Sequence, residues 1–374
     1  MRDYFNPHEA LQTHDVPFLQ IGAISRRRFM VLLAAGLVAG CQTPQGTAPT
    51  PTRIPASTTI PVLIPSAPIA PENANRVVQL ALLEENTIVR SVAWSPDGSA
   101  LAAGATSEVH LWDVKTGKRR ITLQGHTGQV DSLSWRRDGL MLASASIDGT
   151  VRLWDTRKWA VLTVLTPPSS DVTLSVDWSP DGSRLVSGYT DGSVRVWDAR
   201  TGKSIVLEKH LSDNSRLYPV WGVAWSPDGS RIASTRYDGI VHLWDARTVK
   251  NLVSLQLNDK PNGVAWSPDG KRLAVTVDGG AVQLWDAKTH KMVTPLLAHQ
   301  EDGWSYAVAW SPDGRMLASS RQGGLVQIWD TRTGKELTAL QGHLTQVRGT
   351  AWSTDGLRIA SGSDDGTIRL WGVR

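Results

Sequence analysis

Seven aspartates, Asp97, Asp138, Asp181, Asp228, Asp269, Asp313 and Asp355, are the first residues in this chain to invite a chemical reading. An acidic array of that size would suit divalent metal binding or acid–base work. Each one, however, immediately precedes a glycine, five of them in the string Ser-Pro-Asp-Gly. Proline presets the first central dihedral of a tight turn and glycine ends it, so the array reads as seven copies of one turn. The nine His converge no better: His8 and His14 lie near the N-terminus, His110 and His242 share a strand position, and the rest are scattered through turns and edges. The chain contains no Gly-x-Ser-x-Gly, no His-Glu-x-x-His, no phosphate-cradling glycine loop before a helix and no Asp-x-Asp-x-Asp-Gly calcium loop. The single cysteine, Cys41, can form neither an internal disulfide nor a zinc site. The sequence thus predicts no catalytic residue, no metal site and no cofactor.

The elements that would position any site are set by tryptophan. The chain has 374 residues and 17 Trp; its three Phe, Phe5, Phe18 and Phe29, all precede residue 41. Trp112, Trp154, Trp197, Trp244, Trp285 and Trp329 are each followed by Asp, and Trp371 by Gly, at spacings of 41 to 47 residues. A second series, Trp94, Trp135, Trp178, Trp225, Trp266, Trp310 and Trp352, precedes the first by 18 or 19 residues. Within the sixth unit, Ala307–Trp310 is an apolar run suited to a strand covered on both faces, and Ser311–Gly314 closes a turn. Met316–Ser319 returns, Gly323–Gly324 turns again, Leu325–Asp330 alternates up to the Trp-Asp pair, and Leu337–Leu340 is an outer strand.

A four-stranded unit of about 43 residues, closed by Trp-Asp on its third strand and repeated seven times over residues 76–374, resembles the WD-repeat β-propeller family. The resemblance implies an all-β, seven-bladed ring of four-stranded antiparallel blades. It also implies a buried relay of His, Ser or Thr, Asp and Trp, matched by His126, Ser144 or Ser146, Asp148 and Trp154 in unit two. Unit seven matches with His343, Ser361 or Ser363, Asp365 and Trp371. Asp191 and Asp238 keep the turn acid but their units lack the His, so those blades are expected to be held mainly by packing. Unit seven stops at Trp371-Gly372-Val373-Arg374, and the orphan strand Arg76–Leu83 is expected to complete it and close the ring, removing two exposed edges.

Residues 1–40 read as an address. Arg26 and Arg27 lie in Ser25-Arg26-Arg27-Arg28-Phe29-Met30, which resembles a bacterial twin-arginine export signal, and twelve uncharged residues follow, too few to span a bilayer comfortably. Val38-Ala39-Gly40-Cys41 resembles a lipobox, which implies cleavage before Cys41 and lipidation of its sulfur. Residues 41–75, rich in Pro, Thr and Ala, then read as an extended spacer that lifts the body off the outer face of a bacterial membrane.

What breaks the repeat is left for function. Four residues before each first-strand Trp stand Arg90, Asp131, Leu174, Trp221, Asn262, Tyr306 and Arg348, with no consistent core residue among them. Trp304 precedes Tyr306 by two, Tyr218 lies ahead of Trp221, and Tyr189 and Tyr237 fall in second turns. In the family that the chain resembles, these positions form the face that most often meets partners. Exposed aromatics with Arg at the margin are what a protein-binding hot spot is built from. Nucleic acid fits poorly: fourteen Trp are locked in the repeat, and the net charge beyond residue 40 is only +3. The expectation is a monomeric, noncatalytic interaction platform. The rival is a propeller that holds a sugar or peptide on Trp221, Trp304 and Tyr306, with Asp131 and Asp364 as the only nearby acids.

Overall fold

The computed structural model describes residues 62–168, 171–208, 218–296 and 303–374. Arg26, Arg27 and Cys41 lie outside the described residues. Seven four-stranded antiparallel sheets form the ring. Blade one is typical: Val89–Trp94, Ala100–Ala105, Glu108–Asp113 and Lys118–Leu123 run from the central channel to the rim. Its second strand, Ala-Leu-Ala-Ala-Gly-Ala, is buried at every position. Neighbouring blades cover both of its faces, so small apolar residues replace strand-type alternation. The outer strand, bare on one side, is exposed over Lys118–Arg120.

The first-strand tryptophans join one blade to the next. The indole N–H of Trp135 donates to the Ala93 carbonyl at 3.1 Å, Trp266 to Ala224 at 3.2 Å, Trp310 to Ala265 at 3.1 Å, and Trp94 to Ala351 of blade seven at 3.1 Å. The aspartates before glycine close the turns between first and second strands. Asp97 accepts from the Ser95 hydroxyl at 2.6 Å and the Ser99 N–H at 3.1 Å, and Gly98 adopts φ of +69°, a region that glycine enters without strain.

The orphan strand closes the ring. Val77–Glu84 pairs antiparallel with Thr367–Val373 as the outer strand of blade seven, burying Leu80, Ala81 and Leu83. The body also begins earlier than the sequence suggested. Within the segment read as a spacer, residues 62–75 lie along blade seven: the Leu63 N–H donates to Leu80 O (3.0 Å), Ser66 to Val373 O (2.8 Å) and Ile69 to Gly356 O (3.0 Å), while Ile69 and Ala74 are buried. Composition misleads here because proline-rich chain has little conformational freedom left to lose, so a few apolar side chains suffice to dock it.

Leu80 is 1% exposed and sits at the centre of the closing strand. Leu80→Ala is expected to lower stability by about 2–4 kcal/mol in urea unfolding followed by Trp fluorescence. An unchanged midpoint would remove the closing strand from the stability of the ring.

Candidate partner-binding face

A defect in strand register creates the face. In blade one, Val89 pairs with Ala105 and Ser91 with Gly104, so Arg90 has no partner across the ladder. The same slip falls at Asp131, Leu174, Trp221 and Arg348, and at Asn262 and Tyr306 each together with one further residue. A bulge turns its extra residue out of the blade and strengthens the local twist. Every blade but the third therefore delivers one side chain outside its packed faces, which is why the repeat leaves this position free to vary.

Those side chains touch from blade to blade. Arg90 Nε lies 3.9 Å from Asp131 Oδ1. Arg348 donates to Asp364 at 2.9 Å through both Nε and Nη2, and its guanidinium lies over the Tyr306 ring, 4.3 Å from the centroid. The Tyr306 hydroxyl donates to Gln346 Oε1 at 2.8 Å, and its ring meets Trp304 edge-on at 6.3 Å. On blade five, Asn262 Nδ2 donates to Asp278 Oδ1 and to the Ser305 carbonyl, both at 3.0 Å. The Tyr237 hydroxyl reaches Asp278 Oδ2 at 3.5 Å; Lys260 Nζ sits 4.7 Å over the Tyr237 ring, which meets Trp221 edge-on at 6.4 Å. Trp221 and Trp304 are 41% and 50% exposed, large fractions for indoles already held on one side by tyrosine. Tyr218, three residues ahead of Trp221, is half-buried. Asp278, Lys260 and Gln346 escaped sequence reasoning because they lie outside the repeat-breaking position. Their only signal is that they neighbour it in space.

Two of the nominated positions belong elsewhere. Leu174, at the bulge of blade three, is buried and offers no polar or aromatic surface. Tyr189 is fully buried, not exposed in a turn. Its hydroxyl accepts from Ser187 at 2.9 Å while Trp197 Nε1 donates to the same Ser187 oxygen at 2.8 Å. Tyr189 thereby occupies the place in the blade-three relay that histidine takes elsewhere.

In blades two and seven the relay runs through Ser144 and Ser361 rather than Ser146 and Ser363. Trp154 Nε1 donates to Ser144 Oγ (2.8 Å), which faces His126 Nε2 (2.7 Å), and His126 Nδ1 faces Asp148 (2.8 Å). Trp371, Ser361, His343 and Asp365 repeat the chain at 2.8, 2.8 and 3.0 Å. The bonds fix the imidazole tautomer: Nδ1 carries the proton toward the carboxylate and Nε2 accepts from serine. Burial holds the His343 pKa below its usual range despite Asp365, so a neutral ring is the resting state. Burial would raise Asp365, but the Thr367 hydroxyl, the Leu344 N–H and His343 outweigh it and hold its pKa low.

Blades without histidine are not held by packing alone. Trp244 and Trp329 still donate to Ser234 and Ser319 at 2.9 Å. Where the serine is missing, a side-chain oxygen takes its place: the buried Glu85, which also meets His110, receives the Trp112 N–H, and Gln283 receives that of Trp285 at 3.2 Å.

Ring topology, repeated Trp–Ser bonds and a bulge-built face together define a propeller of the WD-repeat type. Sequence models agree: that of the IFT122 first beta-propeller matches residues 88–305, and that of the WD domain, G-beta repeat, matches residues 291–330 and 334–372. The chain belongs to the WD-repeat β-propeller family. It is similar to pre-mRNA-processing factor 19 of Oryza sativa subsp. japonica, 40% identical over 82 residues, 22% of this chain and 15% of that one. WD repeat-containing protein 1 of Xenopus tropicalis is 40% identical over 81 residues, 21% of this chain and 13% of that protein. Target of rapamycin complex subunit wat1 of Schizosaccharomyces pombe is 39% identical over 71 residues, 18% and 23% respectively. The matched stretches thus span less than a quarter of these relatives.

Two outcomes follow from the geometry. Burial pushes the Asp131 carboxyl up to about 6, against the pull of Arg90 and Arg348. The folded state then holds the extra proton between the ordinary value of 3.8 and about 6, so this group's contribution to stability falls as pH rises through that window. Asp131→Asn removes the ionisation: urea midpoints should match the wild type near pH 4 and exceed it at pH 7.5, and a constant difference at both would contradict the assignment. Tyr189→Phe breaks only the bond to Ser187 and should cost about 1 kcal/mol in the same titration. No loss would mean that the hydroxyl is not part of the blade-three relay.

Proposed function

We propose that this protein is a noncatalytic platform that holds a protein partner on the face carrying Trp221, Tyr237, Trp304 and Tyr306. We further propose that it is exported through Arg26 and Arg27 and anchored by lipid on Cys41 at the outer face of a bacterial membrane. The observation that carries the first part is the pair of half-exposed indoles, each braced by a tyrosine, with Lys260 and Arg348 stacked at the margin. Rigid aromatics lose little entropy on binding, and a charged margin sets orientation. The names of two relatives, a pre-mRNA-processing factor and a subunit of the target of rapamycin complex, are consistent with work done inside assemblies. The array of turn aspartates supports the noncatalytic reading, since Asp97, Asp181 and Asp228 are each occupied by serine hydroxyls and backbone N–H groups of their own turns.

A second reading rests on a separate observation. Arg90 Nε and Asp131 Oδ1 face each other at 3.9 Å, and neither makes a hydrogen bond. Such a pair would suit a small zwitterionic or peptide group at the channel mouth, close to the Tyr306 ring.

Crosslinking in the native cell envelope separates the two. The wild type should capture one discrete protein that Trp221→Ala, Trp304→Ala, Tyr306→Ala no longer captures; equal capture by both would move the partner to another surface. Cys41→Ser should shift the protein from the membrane to the soluble fraction, and unchanged fractionation would overturn the lipid anchor.

A further inference from the structure

The two ends of the ring differ in charge. The turns joining third to outer strands all lie at the end opposite the aromatic face, and in blades one to six they present eleven exposed Lys and Arg against one Asp each. Blades two, three and four show the pattern: Arg157 and Lys158, Arg200 and Lys203, Arg247 and Lys250. The aspartates are engaged by their own turns: Asp198 accepts the Thr201 N–H at 2.7 Å and Asp245 that of Thr248 at 2.6 Å. No Lys of these turns forms an ion pair with a described residue. The turns between first and second strands, at the same end, are close to neutral, and among the described residues acids outnumber bases at the aromatic end. A near-zero total therefore conceals a strong axial separation of charge.

Two further features meet this cationic end. The outer strands of blades two to five expose aliphatic side chains beside the basic turns: Leu162 54%, Ile205 57%, Leu252 52% and Val293 55%. Val62, the first described residue, also lies at this end, where it packs on Gly117 in the basic turn of blade one: a Cβ there would stand 2.9 Å from the valine methyl. We propose that the basic outer turns form a docking surface for an anionic lipid bilayer. The cations meet phosphate headgroups, the aliphatic fringe meets the acyl boundary, and the aromatic face is presented away from the membrane. A lipid surface accepts both kinds of side chain together, whereas a nucleic acid satisfies only the cations. The inference deepens the anchored reading above and rests on it for the presence of a membrane within reach.

The test uses the full chain carrying Cys41→Ser, so that no acyl group contributes. Sedimentation with vesicles of phosphatidylcholine containing one third phosphatidylglycerol should show at least tenfold stronger binding than with phosphatidylcholine alone, and high salt should abolish the difference. Neutralising Arg157, Lys158, Arg200, Lys203, Arg247 and Lys250 to Gln should reduce binding at least tenfold. Exchanging Lys for Arg and Arg for Lys at the same six positions should retain it, with both variants melting like the parent. Equal binding to the two vesicle types, or by the Gln variant, would overturn the proposal, as would tighter binding of single-stranded DNA than of vesicles at the same salt. Vesicle binding without envelope capture would fail the platform alone, and capture without vesicle binding would fail this surface alone.

Discussion

Every blade here is apolar on both faces, and no blade can therefore be the end of a row. That constraint governs the rest of the architecture. A linear stack would leave two apolar sheet faces in water, whereas a ring leaves none provided that its last sheet is complete. Val77–Glu84 meets that condition by pairing with Thr367–Val373. The inter-blade indole bonds, including that of Trp94 to Ala351 across the seam, then act on a closed circuit in which no interface is terminal.

Closure also explains how function coexists with repetition. Much of every blade is committed: two faces to neighbours, inner strands to their ladders, turn aspartates to their own turns. The bulge at the channel end of each first strand is an exception, because an unpaired residue owes nothing to the sheet. Arg90, Asp131, Trp221, Asn262, Tyr306 and Arg348 consequently vary in kind while their blades do not. The same economy holds in the relay, where serine, histidine and aspartate are replaced by tyrosine in blade three, glutamate in blade one and glutamine in blade five without loss of a partner for the third-strand indole.

The sequence made the blade number, the strand order and the closing strand legible, since each depends on spacing along the chain. Paired tryptophans 18 or 19 residues apart report a fixed ladder register, and an orphan strand at one end with a deficit at the other leaves one topological solution. Tyr189 was misplaced because position relative to a turn says nothing of which way a ring points; a serine two residues earlier was the only hint of its hydroxyl's partner. Residues 62–75 were misplaced because composition reports how freely a segment moves when unfolded, not whether three apolar side chains find a groove. The separation of charge between the two ends was hidden by summation, which discards the axis along which the charges lie.

The seam has a consequence for synthesis. Among the strands of the ring, the one that completes blade seven is made first and its partner last, with Arg76 and Arg374 bonded across 298 positions of chain. During translation the blades between can form in order, but Val77–Glu84 must wait with an open edge until the final strand leaves the ribosome. The circuit therefore closes only on chains synthesised through that last strand of the ring, and a product terminated before it carries an unpaired strand edge at the start of its propeller.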